Sequence, residues 1–387
     1  MWNFDWPKAY PETTAHGILK LKPEDFQVDE IPLMSPKGEG EHIYLHIKKR
    51  EVNTHWVARL LAEKFGVKEH DVSYAGQKDR YAVTTQWFSI YAPKVEMELE
   101  SRPFPDEDIE ILVQTRHSKK LRRGDLLGNR FNIVLRDIKT SENSDDLQND
   151  GNANLQQTIE DNLQKIKLNG VPNYFGLQRF GRGGGNMDQA LAMLTGQRRE
   201  KNRQKKSMYL SAARSYIFNE VLSARIAQGL WGKSLGGDID ISANQTQDAN
   251  KATAPMWGRG RLNSQTETLV LEQEISEPLQ DLCNGMEHAG LNQERREIVS
   301  SIENLQWQWL AKNSEEDSSA ALNISFALAS GHYATSVLQE FIQVTEPDRY
   351  EDKPFVYNAS ESISSPAAGK VVESAPIAEQ QIKEDNE

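Results

Sequence analysis

The chain holds one cysteine, Cys283, among 387 residues. That excludes an internal disulfide framework and a cysteine-rich zinc site. Its setting, Leu282-Cys283-Asn284, has no feature of a catalytic thiol, so a bland buried side chain is expected. No apolar run approaches the roughly 20 residues needed to cross a bilayer. The start, Met1-Trp2-Asn3-Phe4-Asp5-Trp6, lacks the basic residues and apolar stretch of a signal peptide. A cytoplasmic protein without membrane attachment is expected. The eight histidines show no HExxH or comparable spacing, so no metal is expected. Phe180-Gly181-Arg182-Gly183-Gly184-Gly185-Asn186 has neither the GxxxxGK[ST] nor the GxGxxG spacing of a nucleotide loop. A hinge and a cationic backbone-contacting loop fit it equally.

Net positive charge is also lacking, the formal charge being −12. Residues 140–161 carry six acids and no Lys or Arg, and residues 351–387 carry eight acids against three lysines. What remains is close to neutral and contains two basic clusters, Arg116-His117-Ser118-Lys119-Lys120-Leu121-Arg122-Arg123 and Arg198-Arg199-Glu200-Lys201-Asn202-Arg203-Gln204-Lys205-Lys206. Phosphate contacts need local rather than total positive charge; a solvated face is the plainer alternative for each cluster. Residues 140–157, rich in Ser, Asn, Asp and Gln, read as a flexible acidic insert. The chain from about residue 347 reads as a disordered acidic tail.

The rest alternates between strand and helix signals. His42 to Lys48 alternates polar and apolar residues, as a half-buried strand does. Thr54 is the expected N-cap of a helix whose stripe is Val57, Leu60, Leu61 and Phe65, closed by Gly66. Val72-Ser73-Tyr74 and Trp87 to Tyr91 read as short strands, as do Phe131 to Ile138 and Asn323 to Leu328. Asn129 shares the parity of Phe131, which places both on one side of an extended chain about 7 Å apart. A helix is expected after Ser211, with Ile217, Val221, Leu222 and Ile226 as its stripe and Gly229 at its end. A short helical pattern through Val337, Leu338, Phe341 and Ile342 follows Gly331.

Between two of the strands lies Ala75-Gly76-Gln77-Lys78-Asp79-Arg80-Tyr81-Ala82-Val83-Thr84-Thr85-Gln86-Trp87. An Asp in a Gly-led turn is ordinarily a cap. Polar and aromatic segments elsewhere exceed what structure alone demands: Leu19-Lys20-Leu21-Lys22-Pro23-Glu24-Asp25-Phe26, Leu127-Gly128-Asn129-Arg130-Phe131 and Gly331-His332-Tyr333-Ala334-Thr335-Ser336. Any single one of these aromatics is most simply a core residue. Together, Phe, Tyr and Asn are suitable parts for stacking on a nucleobase and bonding its edge.

The motifs Ala75 to Trp87, Gly170 to Gly181 (Gly-Val-Pro-Asn-Tyr-Phe-Gly-Leu-Gln-Arg-Phe-Gly), Leu210 to Ser215 and Tyr333 to Val337 closely resemble those of the tRNA pseudouridine synthase D (TruD) family. The resemblance covers roughly residues 14–139 and 163–345. It implies an α+β fold: a pseudouridine-synthase catalytic domain with a mixed, largely antiparallel sheet, plus an inserted α/β TRUD domain. The implied division is 1–173 and 301–346 for the catalytic domain and 174–300 for the insert, followed by the tail 347–387. The implied activity is isomerisation of a uridine in tRNA, typically uridine 13, to pseudouridine. The family's catalytic aspartate falls on Asp79. Its uracil-contacting positions fall on Phe26, Asn129 and Phe131, and a further aromatic on Tyr333, where some relatives carry Phe. Lys20 matches a basic position near the carboxylate, with Lys78 and Gln86 as supporting residues.

The residue types suit that chemistry. Isomerisation breaks the N1–C1′ bond, turns the uracil and joins C5 to C1′, so neither cofactor nor metal is needed. One carboxylate can attack C1′ or take the C2′ proton. A neighbouring ammonium favours its charged form, and Lys20 is the better placed, since adjacent side chains in a turn diverge. Glycosidases need two carboxylates, which the companion positions do not offer. An RNA-binding protein that has lost catalysis is the rival reading. The expected partner is tRNA, with no protein partner implied and a monomer as the default.

Overall fold

A computed structural model gives the fold of residues 2–10, 13–93, 107–140, 150–240, 251–310 and 320–348. The acidic stretch 141–149 and the tail beyond 348 lie outside the described residues. The strands are β1 (Ala15–Ile18), β2 (Phe26–Pro32), β3 (His42–Arg50), β4 (Val72–Tyr74), β5 (Val83–Tyr91), β6 (Ile109–His117), β7 (Leu126–Thr140), β8 (Val171–Pro172), β9 (Thr253–Met256), β10 (Glu294–Glu297), β11 (Val299–Ser300), β12 (Glu303–Leu310), β13 (Ala320–Ala329) and β14 (Gln343–Thr345). The α-helices are α1 (Thr54–Phe65), α2 (Asp150–Asn169), α3 (Gly185–Leu194), α4 (Arg203–Ala227), α5 (Thr266–Ser276), α6 (Gln280–His288) and α7 (Ala334–Leu338).

Ten strands make one mixed sheet in the order β12-β13-β7-β2-β5-β3-β6, with β1, β14 and β4 attached along it. All its pairings are antiparallel except β2 with β5 and β1 with β14. Register fixes which side chains share a face, because neighbours across a ladder project together. Phe326, Phe131, Val28, Thr84 and Lys49 form one row across five strands. Leu328, Asn129 and Glu30 form the next, with Gln86 two residues on from Thr84. Over β3 and β5 this face is covered by α1, whose Val57, Leu61 and Phe65 join Ile43, Leu45, Ile47 and Phe88 in one core. Over β7 and β13 it is covered by α2 and α7, where Leu155, Ile159, Leu163 and Val337 meet Ile133, Leu135 and Leu322.

A separate core gathers α3, α4, α6 and the two-stranded β9–β10 ribbon around Phe180, Tyr216, Phe218 and Met286. Trp2, Phe4 and Trp6 of the N-terminal segment pack here, while Ala9 and Tyr10 pack on the core of the large sheet. Trp6 stacks on Tyr174 at 5.6 Å between centroids, and its Nε1 donates to Glu220 Oε1 at 2.8 Å. Phe4 lies against Phe180 and over Gly184, where a Cβ would come within 2.7 Å of the ring. Packing against Phe4 is thus one reason for the glycine-rich loop. The far end of the strap is tied to Glu340, which accepts from Ala9 N and Tyr10 N.

Several boundaries differ from the sequence expectation. The stretch expected to be a flexible insert is helical from Asp150, because Leu155, Ile159, Leu163 and Ile166 recur at helical spacing and bury against the sheet. Helix α4 begins at Arg203, ahead of Ser211, because the Asn202 side chain accepts from Gln204 N and Lys205 N. Asn53, not Thr54, is the N-cap of α1; Thr54 is buried and bonded elsewhere. Gly66 does close α1, at φ 65°.

Gly128, on β7 beside Asn129, is placed so that a Cβ would stand 2.0 Å from Leu328 O. Gly128→Ala must push β7 from β13, and we expect a loss of about 1–3 kcal/mol. A fall in the urea midpoint at unchanged slope would show it.

Candidate active site

The inward parity of the central strands carries polar residues where apolar ones would pack. After Ile43, Leu45 and Ile47 comes Lys49; after Phe26 and Val28 comes Glu30; on β5 the positions are Thr84 and Gln86. All four are buried. Buried polar groups must be bonded, and three of these four find partners in the turn that carries Asp79. Gln86 Nε2 donates to Gly76 O at 3.0 Å, and Lys49 Nζ donates to Asp79 O at 2.8 Å. Lys78 Nζ donates to Glu30 Oε2 at 2.9 Å, in an ion pair with both side chains almost wholly buried. Thr54, on α1, accepts from Lys78 N and donates to Gln86 Oε1. The turn is therefore fixed at Gly76, Lys78 and Asp79 from below.

The Asp79 carboxylate points the other way and is half exposed, with Oδ1 3.8 Å from Lys20 Nζ. Lys20 is buried, pairs also with Glu346 at 3.2 Å, and stands 4.5 Å over the Phe26 ring. Its φ of 56° is a left-handed conformation that a lysine rarely adopts, as is common where a site fixes a side chain. Lys78 turns towards Glu30, so Lys20 is the cation that faces the carboxylate. Burial pulls the Lys49 ammonium down to about 8; the Asp79 charge raises it and Lys78 lowers it further.

Phe26 and Phe131 meet at 6.2 Å between centroids, and Phe131 also stacks on Phe326. Both are core residues by burial, at 3% and 7% exposure, so a ligand could reach only their edges without rearrangement. Asn129 lies one row along from Phe131, and its Oδ1 is buried without a hydrogen-bond partner. Tyr333 belongs to a different cluster. Its hydroxyl accepts from Arg179 Nη2 at 2.7 Å, while Arg179 Nη1 reaches Ser211 Oγ on α4. Arg296 lies 4.3 Å from the centre of the Phe175 ring and donates to Gly331 O; burial pulls it down to about 10. The end of β13 links the clusters, since Leu328 pairs with Asn129 and Tyr333 follows shortly after.

Lys49, Glu30, Thr54, Arg179 and Arg296 were not among the expected site residues. Lys49 and Glu30 had a readable signal, each being charged at an inward position of an alternating strand. Each basic cluster adjoins one half of the site. Gly124, just after the first, donates to Ala75 O at the head of the Asp79 turn. The second, largely exposed, leads into α4 and so towards Ser211. Cys283 is buried, and burial pushes its thiol up to about 12. Among the described residues, no helix is long and apolar enough to cross a membrane, and no group of three His, Cys, Asp or Glu could hold a metal.

The family model described as tRNA pseudouridine synthase D (TruD) matches residues 9–200 and 198–256. The tRNA pseudouridine synthase D of Cellvibrio japonicus is 39% identical over 88% of this chain and 94% of its own length. That of Aeromonas hydrophila is 42% identical over 87% of this chain and 93% of its own. In fold, the chain is similar to the crystal structure of the putative tRNA pseudouridine synthase D from Methanosarcina mazei. The TM-score is 0.64 at 21% identity, covering 87% of this chain and 95% of that one.

The buried Lys78–Glu30 pair sets a stability expectation. Glu30→Gln leaves the Lys78 charge buried without its counter-ion, and we expect it to cost about 3–5 kcal/mol. Adding Lys78→Met should recover most of that loss in a denaturant-unfolding cycle.

Proposed function

The chain belongs to the tRNA pseudouridine synthase D family, isomerases that act on tRNA, and we propose that it converts uridine 13 of tRNA to pseudouridine with Asp79 as the reacting group and no cofactor. The observation that carries this reading is the turn, whose backbone is held by buried groups while its carboxylate stands half exposed beside Lys20. A reacting group held in one orientation loses little freedom on reaching the transition state.

Asp79 either attacks C1′ as uracil departs, or removes the C2′ proton to give a glycal-like intermediate. In both routes the uracil turns, C5 bonds to C1′, and the proton on C5 is released. The sequence of steps is redox-neutral and consumes no water. The unpartnered Asn129 Oδ1 suits the N3–H of a uracil edge, since a buried amide oxygen is costly to leave unbonded. Phe26 and Phe131 would wall the base and Tyr333 would stack on it or bond it. Lys20, Lys78 and Gln86 support Asp79.

The basic clusters are read as contacts for the tRNA backbone. Arg203, Lys205 and Lys206 occupy the first turn of α4, where the helix dipole disfavours cations and phosphate would offset them. Residues 1–173 and 301–346 are read as the catalytic domain, 174–300 as the insert, and the enzyme as a cytoplasmic monomer.

Asp79→Asn should reduce tritium release from tRNA labelled at uridine C5 by on the order of 10⁴-fold or more, with tRNA affinity retained. Full activity in that variant would remove Asp79 from the chemistry. Mapping pseudouridine in tRNA treated with the purified enzyme should place it at position 13; a different position would overturn that part of the reading.

A further inference from the structure

Lys49 carries a charge that the packing of the sheet does not need. Its side chain is wholly buried in the row Phe131–Val28–Thr84–Lys49, where a methionine of similar length would fill the space without desolvating an ammonium. It forms no ion pair among the described residues. Its hydrogen bond goes to the Asp79 carbonyl, at 2.8 Å. We propose that Lys49 is a positioning residue for the isomerisation: its ammonium holds the Asp79 carbonyl from beneath, fixes the direction in which the carboxylate leaves the turn, and lays a positive charge under the reacting group. The inference rests on Asp79 being that group.

The surroundings of Lys49 define which charges it senses. From the turn come Asp79 and Lys78. From β5 comes Thr84, and from β6 Ile109, both uncharged. On β2 its row holds Val28, and Glu30 one row along is engaged by Lys78. Thr54 of α1 is bonded to Gln86 and Lys78, and Lys20 lies on the far side of Asp79. Burial and Lys78 together bring Lys49 to about 8, so its proton is lost within a pH range that assays reach.

The signs for activity and stability are opposite. Between about 8 and the ordinary value of 10.5, the unfolded chain binds a proton at Lys49 that the folded chain does not. The contribution of Lys49 to stability therefore rises with pH across that window. Deprotonation leaves an amine that can still donate to the Asp79 carbonyl but removes the positive charge beneath it, so the rate should fall as pH rises through about 8. A lysine that merely filled space would produce no such fall.

The test is kcat for tritium release from C5-labelled tRNA between about pH 6.5 and 9, with melting temperature recorded alongside. Wild type should lose rate above about pH 8. Lys49→Arg, a permanent cation, should stay active and lack that loss. Lys49→Met should lower kcat about 100-fold, the scale on which a misplacement of about 1 Å acts. Its KM should be unchanged, its melting temperature no lower, and its profile flat across pH 8. Wild-type activity that does not fall through pH 8, or a Lys49→Met rate within two-fold of wild type, would overturn the proposal. Should Lys49→Met fail to fold, wild type against Lys49→Arg decides. Asp79→Asn, run in parallel, separates the two levels. If it is active, the reading of Asp79 has failed. If it is dead while Lys49→Met keeps full rate, only the role of Lys49 has failed.

Discussion

The rest of the site depends on polar side chains set into the inward face of a sheet. Lys49, Glu30 and Gln86 occupy positions where neighbouring strands would otherwise present aliphatic groups, and each needs a partner that water cannot supply. The Asp79 turn is that partner. Its carbonyls at Gly76 and Asp79 and the Lys78 side chain satisfy the sheet, and the sheet in turn fixes the loop. Loops with few contacts move; this one is held by buried polar groups, with its Asp79 carboxylate left facing outward.

Placing charge in a core is a costly way to hold a loop, and apolar packing would give more stability per atom. What apolar contacts do not give is direction. A hydrogen bond from Lys49 or Gln86 specifies an angle as well as a distance, and a reacting carboxylate must be aimed. The left-handed backbone at Lys20 follows the same logic on the opposite side of Asp79. There the chain accepts local strain to point an ammonium at the carboxylate and across the Phe26 ring.

Much of this was legible in the sequence, for identifiable reasons. Alternation revealed β3 from His42, and the Val57–Phe65 stripe with Gly66 revealed α1 to its last residue. The start of β5 at Val83 was not visible, because Thr84 and Gln86 are buried polar residues that break the apolar pattern. Lys49 and Glu30 continue the inward parity of their strands, a signal that the sequence expectation does not use: its alternation ends at Lys48, and it places no strand over Phe26–Pro32. Helix α4 was foreshortened because its first turns are a basic cluster without an apolar stripe, and only the Asn202 cap marks where it begins. The grouping of Arg179, Arg296 and Tyr333 could not be read at all. It is made by tertiary packing between segments far apart in the chain, and no local period records that.

The N-terminal strap has a consequence for the order in which the molecule is made. Trp6 bonds Glu220, 214 residues further along the chain. During synthesis that interval takes on the order of 10 s or more at typical elongation rates. Until α4 emerges, Trp2 lacks its ring partner Tyr216 and Trp6 its acceptor Glu220. The Trp6–Glu220 bond is a high-separation contact of the kind that slows folding, and the bonds of Ala9 and Tyr10 to Glu340 close later still. For that interval, the indole N–H of Trp6 waits on a helix that has yet to be made.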